Sequence, residues 1–135
     1  MKILVDTNVI LDVLCNRSGF VEASSKIWKL CEVGRIDGYI SALSVPNIVY
    51  ILRKELDPEK TDRLITQIMM IFKIADLRST DIRAAAALRA DDFEDALQMC
   101  QAERINADHI ITRNIRDFKS SKVSALKPSE LLERI

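Results

Sequence analysis

Near the amino end three consecutive apolar residues, Ile3-Leu4-Val5, run without a break into Asp6-Thr7-Asn8. An unalternated apolar run of this length reads as a strand covered on both faces, as in a parallel sheet. Ligands of open α/β sheets bind beyond the carboxyl ends of such strands. Asp6 is therefore expected at the edge where a fold of this kind keeps its chemistry.

The rest of the chain repeats the alternation of strand and helix. Val9, Ile10, Val13 and Leu14 recur at helical spacing, as do Ile27, Leu30 and Cys31 in a second helix that ends at Gly34. Tyr39 to Ala42 reads as the second strand, opened by Asp37-Gly38, and Ser44 is placed to cap a helix with Pro46 in its first turn. Pro58 follows a break, and an amphipathic helix then leads to a third strand over Phe72 to Ala75. A weakly patterned alanine-rich helix starts at Thr80 or Asp81. Asp91 or Asp92 caps the next one, whose buried face is drawn through Phe93, Ala96, Leu97, Cys100 and Arg104. Strands at His109 to Thr112 and Val123 to Leu126 and a terminal helix opened by Pro128 complete a mostly parallel α/β sandwich.

At 135 residues, with no repeat, no low-complexity tract and only three glycines and three prolines, the chain is expected to form one domain over residues 1–135. Its 20 basic and 20 acidic side chains balance, so affinity for nucleic acid must come from a local patch. Cys15, Cys31 and Cys100 are widely spaced in apolar patterns and read as reduced core residues of a cytoplasmic protein. The spacing of a zinc site is missing, and His109 has no partner histidine. Only three apolar residues separate Lys2 from Asp6 and no run is long enough to span a bilayer, so neither a leader nor a membrane segment is expected.

Each acidic residue has a plain structural explanation when taken singly. Asp6 could cap the helix after the first strand, with Thr7 or Asn8 sharing that duty. Asp91 and Glu94 have the spacing of a capping box. Helix geometry separates the group Asp91-Asp92-Phe93-Glu94-Asp95, because at about 100° per residue Asp92, Asp95 and Met99 share a flank while Glu94 falls roughly a quarter turn from Asp95. Asp95 is the better ligand, Asp92 an accessory acid and Glu94 a cap. Beyond the fourth strand, Thr112-Arg113-Asn114 and then Asp117 add oxygen donors, with Phe118 available to hold the turn.

Two strand ends and one helix start thus bring hard oxygen ligands toward one edge, a set suited to Mg²⁺ or Mn²⁺. Clustered carboxylates repel one another and repel phosphate unless a divalent ion lies between them. With the ion, a bound water is acidified and an in-line phosphoryl displacement is stabilised. Arg113, Arg116, Lys119 and Lys122 follow the fourth strand within ten residues, either as a solvated basic loop or as contacts to a single-stranded RNA backbone. Arg53 and Lys54 are further candidates for such a groove.

ILVDTN, DDFEDA and IITRNIRDF, in this order and spread over nearly the whole chain, resemble the PIN-domain nucleases, in particular toxin-like ribonucleases of the VapC type. The resemblance implies a three-layer α/β/α sandwich with a five-stranded sheet in the order 3-2-1-4-5 and metal-binding acids at its carboxyl edge. It assigns Asp6 and Asp95 as metal ligands and places Asn114, with Asp117 as a nearby substitute, where the last acid stands. Asn8, Asp92 and Thr112 are accessory positions, and Arg113, Arg116 and Lys119 the RNA contacts. Asn47 occupies the place of the family's second acid, a departure that removes a charge and a general base. The implied activity is a Mg²⁺- or Mn²⁺-dependent endoribonuclease, the toxin of a toxin-antitoxin pair, with RNA as substrate, a cognate antitoxin and a homodimer as partners. A catalytically weak or inactive PIN-like RNA-binding or interaction domain is the alternative. A signalling receiver domain fails on spacing, since the interval Val49 to Leu56 reads as helix where a phospho-accepting aspartate is needed.

Overall fold

The computed structural model describes residues 1–135. Five strands, β1 (Lys2–Val5), β2 (Asp37–Ser41), β3 (Lys73–Ala75), β4 (His109–Ile111) and β5 (Ser124–Leu126), form one sheet in the order β3-β2-β1-β4-β5. Every neighbouring pair is parallel, with Leu4 opposite Tyr39 on one side and Ile110 on the other. Parallel neighbours require crossovers. These are α1 (Thr7–Leu14) and α2 (Val21–Glu32), α3 (Ser44–Glu55) and α4 (Pro58–Ile71), and α5 (Ser79–Leu88) and α6 (Phe93–Arg104), with α7 (Pro128–Glu133) closing the chain.

Alternation along β1 divides the core in two. Ile3 and Val5 pack with Val9, Ile10, Ile27, Ile48, Ile68 and Leu131 beneath α1 to α4 and α7, whereas Leu4 turns to the other face with Met99, Ala102, Ile110 and Phe118. Ile3, Leu4 and Val5 are all buried, which accounts for the unbroken apolar run. Gly38 sits where β2 crosses the larger core, and a Cβ there would stand 2.6 Å from Cys31 Sγ and 2.9 Å from Phe72 Cδ1. Gly38→Ala is expected to destabilise the fold by about 1–3 kcal/mol through overpacking, measured as a lower urea midpoint at unchanged slope.

Several local expectations need correction. Phe72 does not open β3: its N–H donates to Ile68 O and closes α4. Ser44 does not cap α3, because Leu43 holds the cap position and the Ser44 hydroxyl instead accepts from Thr7 Oγ1 at 2.7 Å. The buried face of α6 is also broader than the pattern suggested. Phe93 is exposed, and Gln98, Met99, Gln101 and Ala102 are buried together with Ala96 and Leu97. The helix lies against the sheet on one flank and α5 on the other, so it buries two stripes rather than one.

Candidate active site

At the carboxyl end of β1, Asp6 has the backbone conformation of a helix cap but its side chain makes no capping hydrogen bond. It is 6% exposed and accepts two bonds from elsewhere: Gln98 Nε2 donates to Oδ1 at 3.1 Å and Thr112 Oγ1 to Oδ2 at 2.9 Å. The Thr112 hydroxyl also accepts from the Asn114 N–H at 3.1 Å. A carboxylate has about four acceptor positions. Two are used here to fix orientation, and the others remain for a ligand. Thr112→Val keeps the shape but leaves a buried carboxylate oxygen and the Asn114 amide short of a partner. A loss of about 1–3 kcal/mol is expected in urea denaturation.

Asp95 stands one helical turn before Gln98 and is half-buried. Burial, followed by the charges of Asp92, Asp6, Asp117 and Glu94, pushes its carboxyl up to about 7. Asp6 and Asp95, 89 positions apart in the chain, therefore act on one another across the sheet edge. Asp92 is the cap of α6, accepting from the Asp95 N–H at 3.1 Å. Glu94 is not a cap. It accepts instead from Asn47 Nδ2 at 3.1 Å, which joins the start of α6 to α3.

Asp117 lies on a short 3-10 turn, Ile115–Phe118, held by buried Phe118 and by an N–H bond to Asn114 O. With Asp92, Asp95, Arg116 and Lys119 it lines a cavity of about 290 Å³. Asn8, in the first turn of α1, is half-buried. Arg53 and Lys54 stand apart from this edge, one near Asp62 at 3.9 Å and the other over the Tyr50 ring.

Arg113 behaves differently from the other basic residues of its loop. Its Nε lies 3.2 Å from Asp12 Oδ2, and its guanidinium covers the Phe20 ring at 4.1 Å from the centroid. Asp12 is 0% exposed, with Arg17 Nη1 at 3.6 Å and Ser24 Oγ at 3.5 Å as its other neighbours. Burial raises the Asp12 carboxyl above its ordinary range against the opposing pull of the two arginines.

The residues present fit a divalent cation. The donors are hard oxygens, and the Asp95 carboxyl is displaced upward by burial first and by the neighbouring carboxylates second. Gln98 must turn its amide nitrogen to Asp6, which leaves its buried Oε1 without a partner beside the site. No three acidic, histidine or cysteine side chains enclose a common point. A centre built on one or two carboxylates and completed by water and substrate phosphate is the arrangement Mg²⁺ ordinarily takes.

Fold and site together define a class, and residues 2–116 match the PIN domain: the chain belongs to that family. No protein of curated function matches it. Among solved structures it is similar to a chain of FitAcB from Neisseria gonorrhoeae, with 21% identity and a TM-score of 0.72, covering 94% of this chain and 98% of the other. A chain of VapBC-1 from nontypeable Haemophilus influenzae gives 16% identity and a TM-score of 0.74, covering 96% and 99%. A toxin-antitoxin complex from Klebsiella pneumoniae gives 19% and 0.71, covering 93% and 96%. At these identities the likeness is one of fold. No helix is long and apolar enough to cross a membrane.

Sequence reasoning missed Gln98 and Asp12. The signal for Gln98 was present in its spacing, three residues after Asp95 and so on nearly the same flank of α6. For Asp12 the signal was a lone carboxylate among Val9, Ile10, Leu11 and Val13. Its partner Arg113 lies 101 residues away, beyond the reach of local pattern.

Proposed function

We propose that this PIN domain is an endoribonuclease that hydrolyses phosphodiester bonds of RNA with Mg²⁺ or Mn²⁺, and that it is the toxin of a toxin-antitoxin pair. The observation that carries this reading is the approach of Asp6 to Asp95 at the sheet edge, where burial first and the charges of Asp92, Asp6, Asp117 and Glu94 second raise the Asp95 carboxyl to about 7. Asp6, held by Gln98 and Thr112, and Asp95 are the primary ligands, with Asp117 lining the same cavity as Asp95 and Asn114 lining the adjoining one. A bound divalent ion supplies an acidified water and neutralises charge at the phosphate. Asp92 fixes the first turn of α6 from which Asp95 projects. Asn47, without a charge of its own, orients Glu94 toward the same edge, so that a carboxylate from α6 takes the place of the acid absent from α3. Arg116 and Lys119 line the cavity next to the acids and receive the phosphate backbone.

The antitoxin assignment draws support from the fold likeness to a chain of a toxin-antitoxin complex; the homodimer follows from the family resemblance alone. Three free cysteines accord with a cytoplasmic protein. Asn47 also favours a second reading, an RNA-binding PIN domain that has lost hydrolysis. Incubation of the purified chain with labelled single-stranded RNA separates the two. New termini in Mn²⁺ that vanish in EDTA support the hydrolase, whereas retention of intact RNA under both conditions supports the binding domain.

A further inference from the structure

The cavity beside the acids shares walls with two others, and the charge of the lining changes along the series. Arg116 and Asp117 belong both to the acidic cavity and to a second of about 350 Å³. Arg113 and Lys127 belong both to the second and to a third of about 240 Å³, which also contains Phe20, Ser24 and Ser129 and no acid. Four aspartates, with Arg89, Arg116 and Lys119 among them, thus mark one end, and two cations with hydroxyls and no acid the other. Neither Arg116 nor Lys127 takes part in any ion pair of the molecule.

The far end is a fixed structure rather than a loose basic loop. Arg113 is set on Asp12, and two guanidiniums around that single buried carboxylate leave a positive excess. Phe20 is 44% exposed although it already bears the Arg113 guanidinium. An accessible ring beside paired cations is a platform for an unstacked base flanked by phosphates. A duplex would keep its bases stacked and could not use it.

We infer that the strand leaving the acidic centre runs along this trough, one phosphate at Arg116, the next between Lys127 and Arg113, with a base against Phe20. The ligand class is single-stranded RNA, so the inference deepens the proposed function and rests on its choice of RNA, while requiring no cleavage. It assigns binding roles to Lys127 and Phe20, which lie outside the acidic site.

The test is fluorescence anisotropy of the full chain with Ca²⁺ in place of Mg²⁺, so that the acids do not repel phosphate, with labelled oligouridylates of four and twelve nucleotides. Lys127→Ala and Phe20→Ala are expected to weaken the twelve-mer roughly tenfold and to leave the four-mer unchanged. Lys127→Arg should restore binding, and Lys127→Ala should reduce the salt slope for the twelve-mer by about 0.7. Equal weakening of both lengths, no weakening of either, or competition by polyglutamate as strong as by unlabelled RNA would overturn the trough. A chain that shows the length-dependent losses yet yields no product in Mn²⁺ supports the trough and overturns hydrolysis.

Discussion

Asp95→Asn should make the metal-free protein more stable while removing both its response to Mg²⁺ and its activity. The wild-type carboxyl is raised from 3.8 to about 7, so between those values the folded state binds more protons than the unfolded chain. Stability is then highest below about pH 4 with respect to this group and falls as the pH rises toward 7. With solvent screening of a half-buried group allowed for, about 1–2 kcal/mol is at stake. The asparagine variant lacks this slope. In EDTA at pH 7.5 its Tm should exceed that of wild type by roughly 3–6 °C, and the difference should shrink on acidification to pH 4. Mg²⁺ at saturating concentration should raise the wild-type Tm through binding to the native state only and leave the variant unmoved. RNA cleavage should fall at least about 100-fold, the upper range for loss of a group that merely supports a metal ligand. An unchanged apo Tm together with an intact Mg²⁺ upshift would show that the carboxylates do not act on a common ion.

Arg113→Met should give the largest loss of stability among single changes at the site. Asp12 is wholly buried, and its other guanidinium, Arg17, is 3.6 Å away against 3.2 Å for Arg113. Removing the nearer guanidinium leaves the buried carboxylate to Arg17 alone, at a cost of up to about 3–5 kcal/mol. The double variant Asp12→Leu/Arg113→Met removes both charges and should recover much of that loss. Urea denaturation of the two single variants and the double closes the cycle. A double variant as unstable as the sum of the singles would mean that Asp12 and Arg113 do not compensate one another. The same pair ties α1 to the segment after β4, and Thr112, the residue before Arg113, holds Asp6. Any RNA-binding defect of Arg113→Met must therefore be measured at a temperature where the variant is folded.

The strands were readable because burial on both faces leaves an unbroken apolar run, as in Ile3-Leu4-Val5 and Ile110-Ile111, although Asp37-Gly38, read as the turn before β2, lie within that strand. The order 3-2-1-4-5 came from family resemblance and stands in the structure. The placement of Asp95 on a flank free for other duty followed from helix geometry. The environment of that flank could not be read so simply, since a helix covering a sheet and a neighbouring helix buries glutamines that a hydropathy pattern counts as solvent-facing. Gln101 shows the same effect, accepting from Ser41 Oγ at 2.7 Å and donating to Ala75 O at 3.2 Å inside the protein. Asp91-x-x-Glu94 has the spacing of a capping box, yet Asp92 won the cap and freed Glu94 for Asn47. Local spacing cannot choose between two adjacent aspartates when the choice depends on a side chain 47 residues away.

Diffraction from crystals soaked in Mn²⁺, collected for its anomalous signal, addresses the central claim most directly. An anomalous peak bridging the Asp6 and Asp95 carboxylates, lost in crystals of Asp95→Asn, is the predicted result. A fully soaked crystal with manganese bound elsewhere, or with none between these two side chains, would contradict the metal-dependent nuclease.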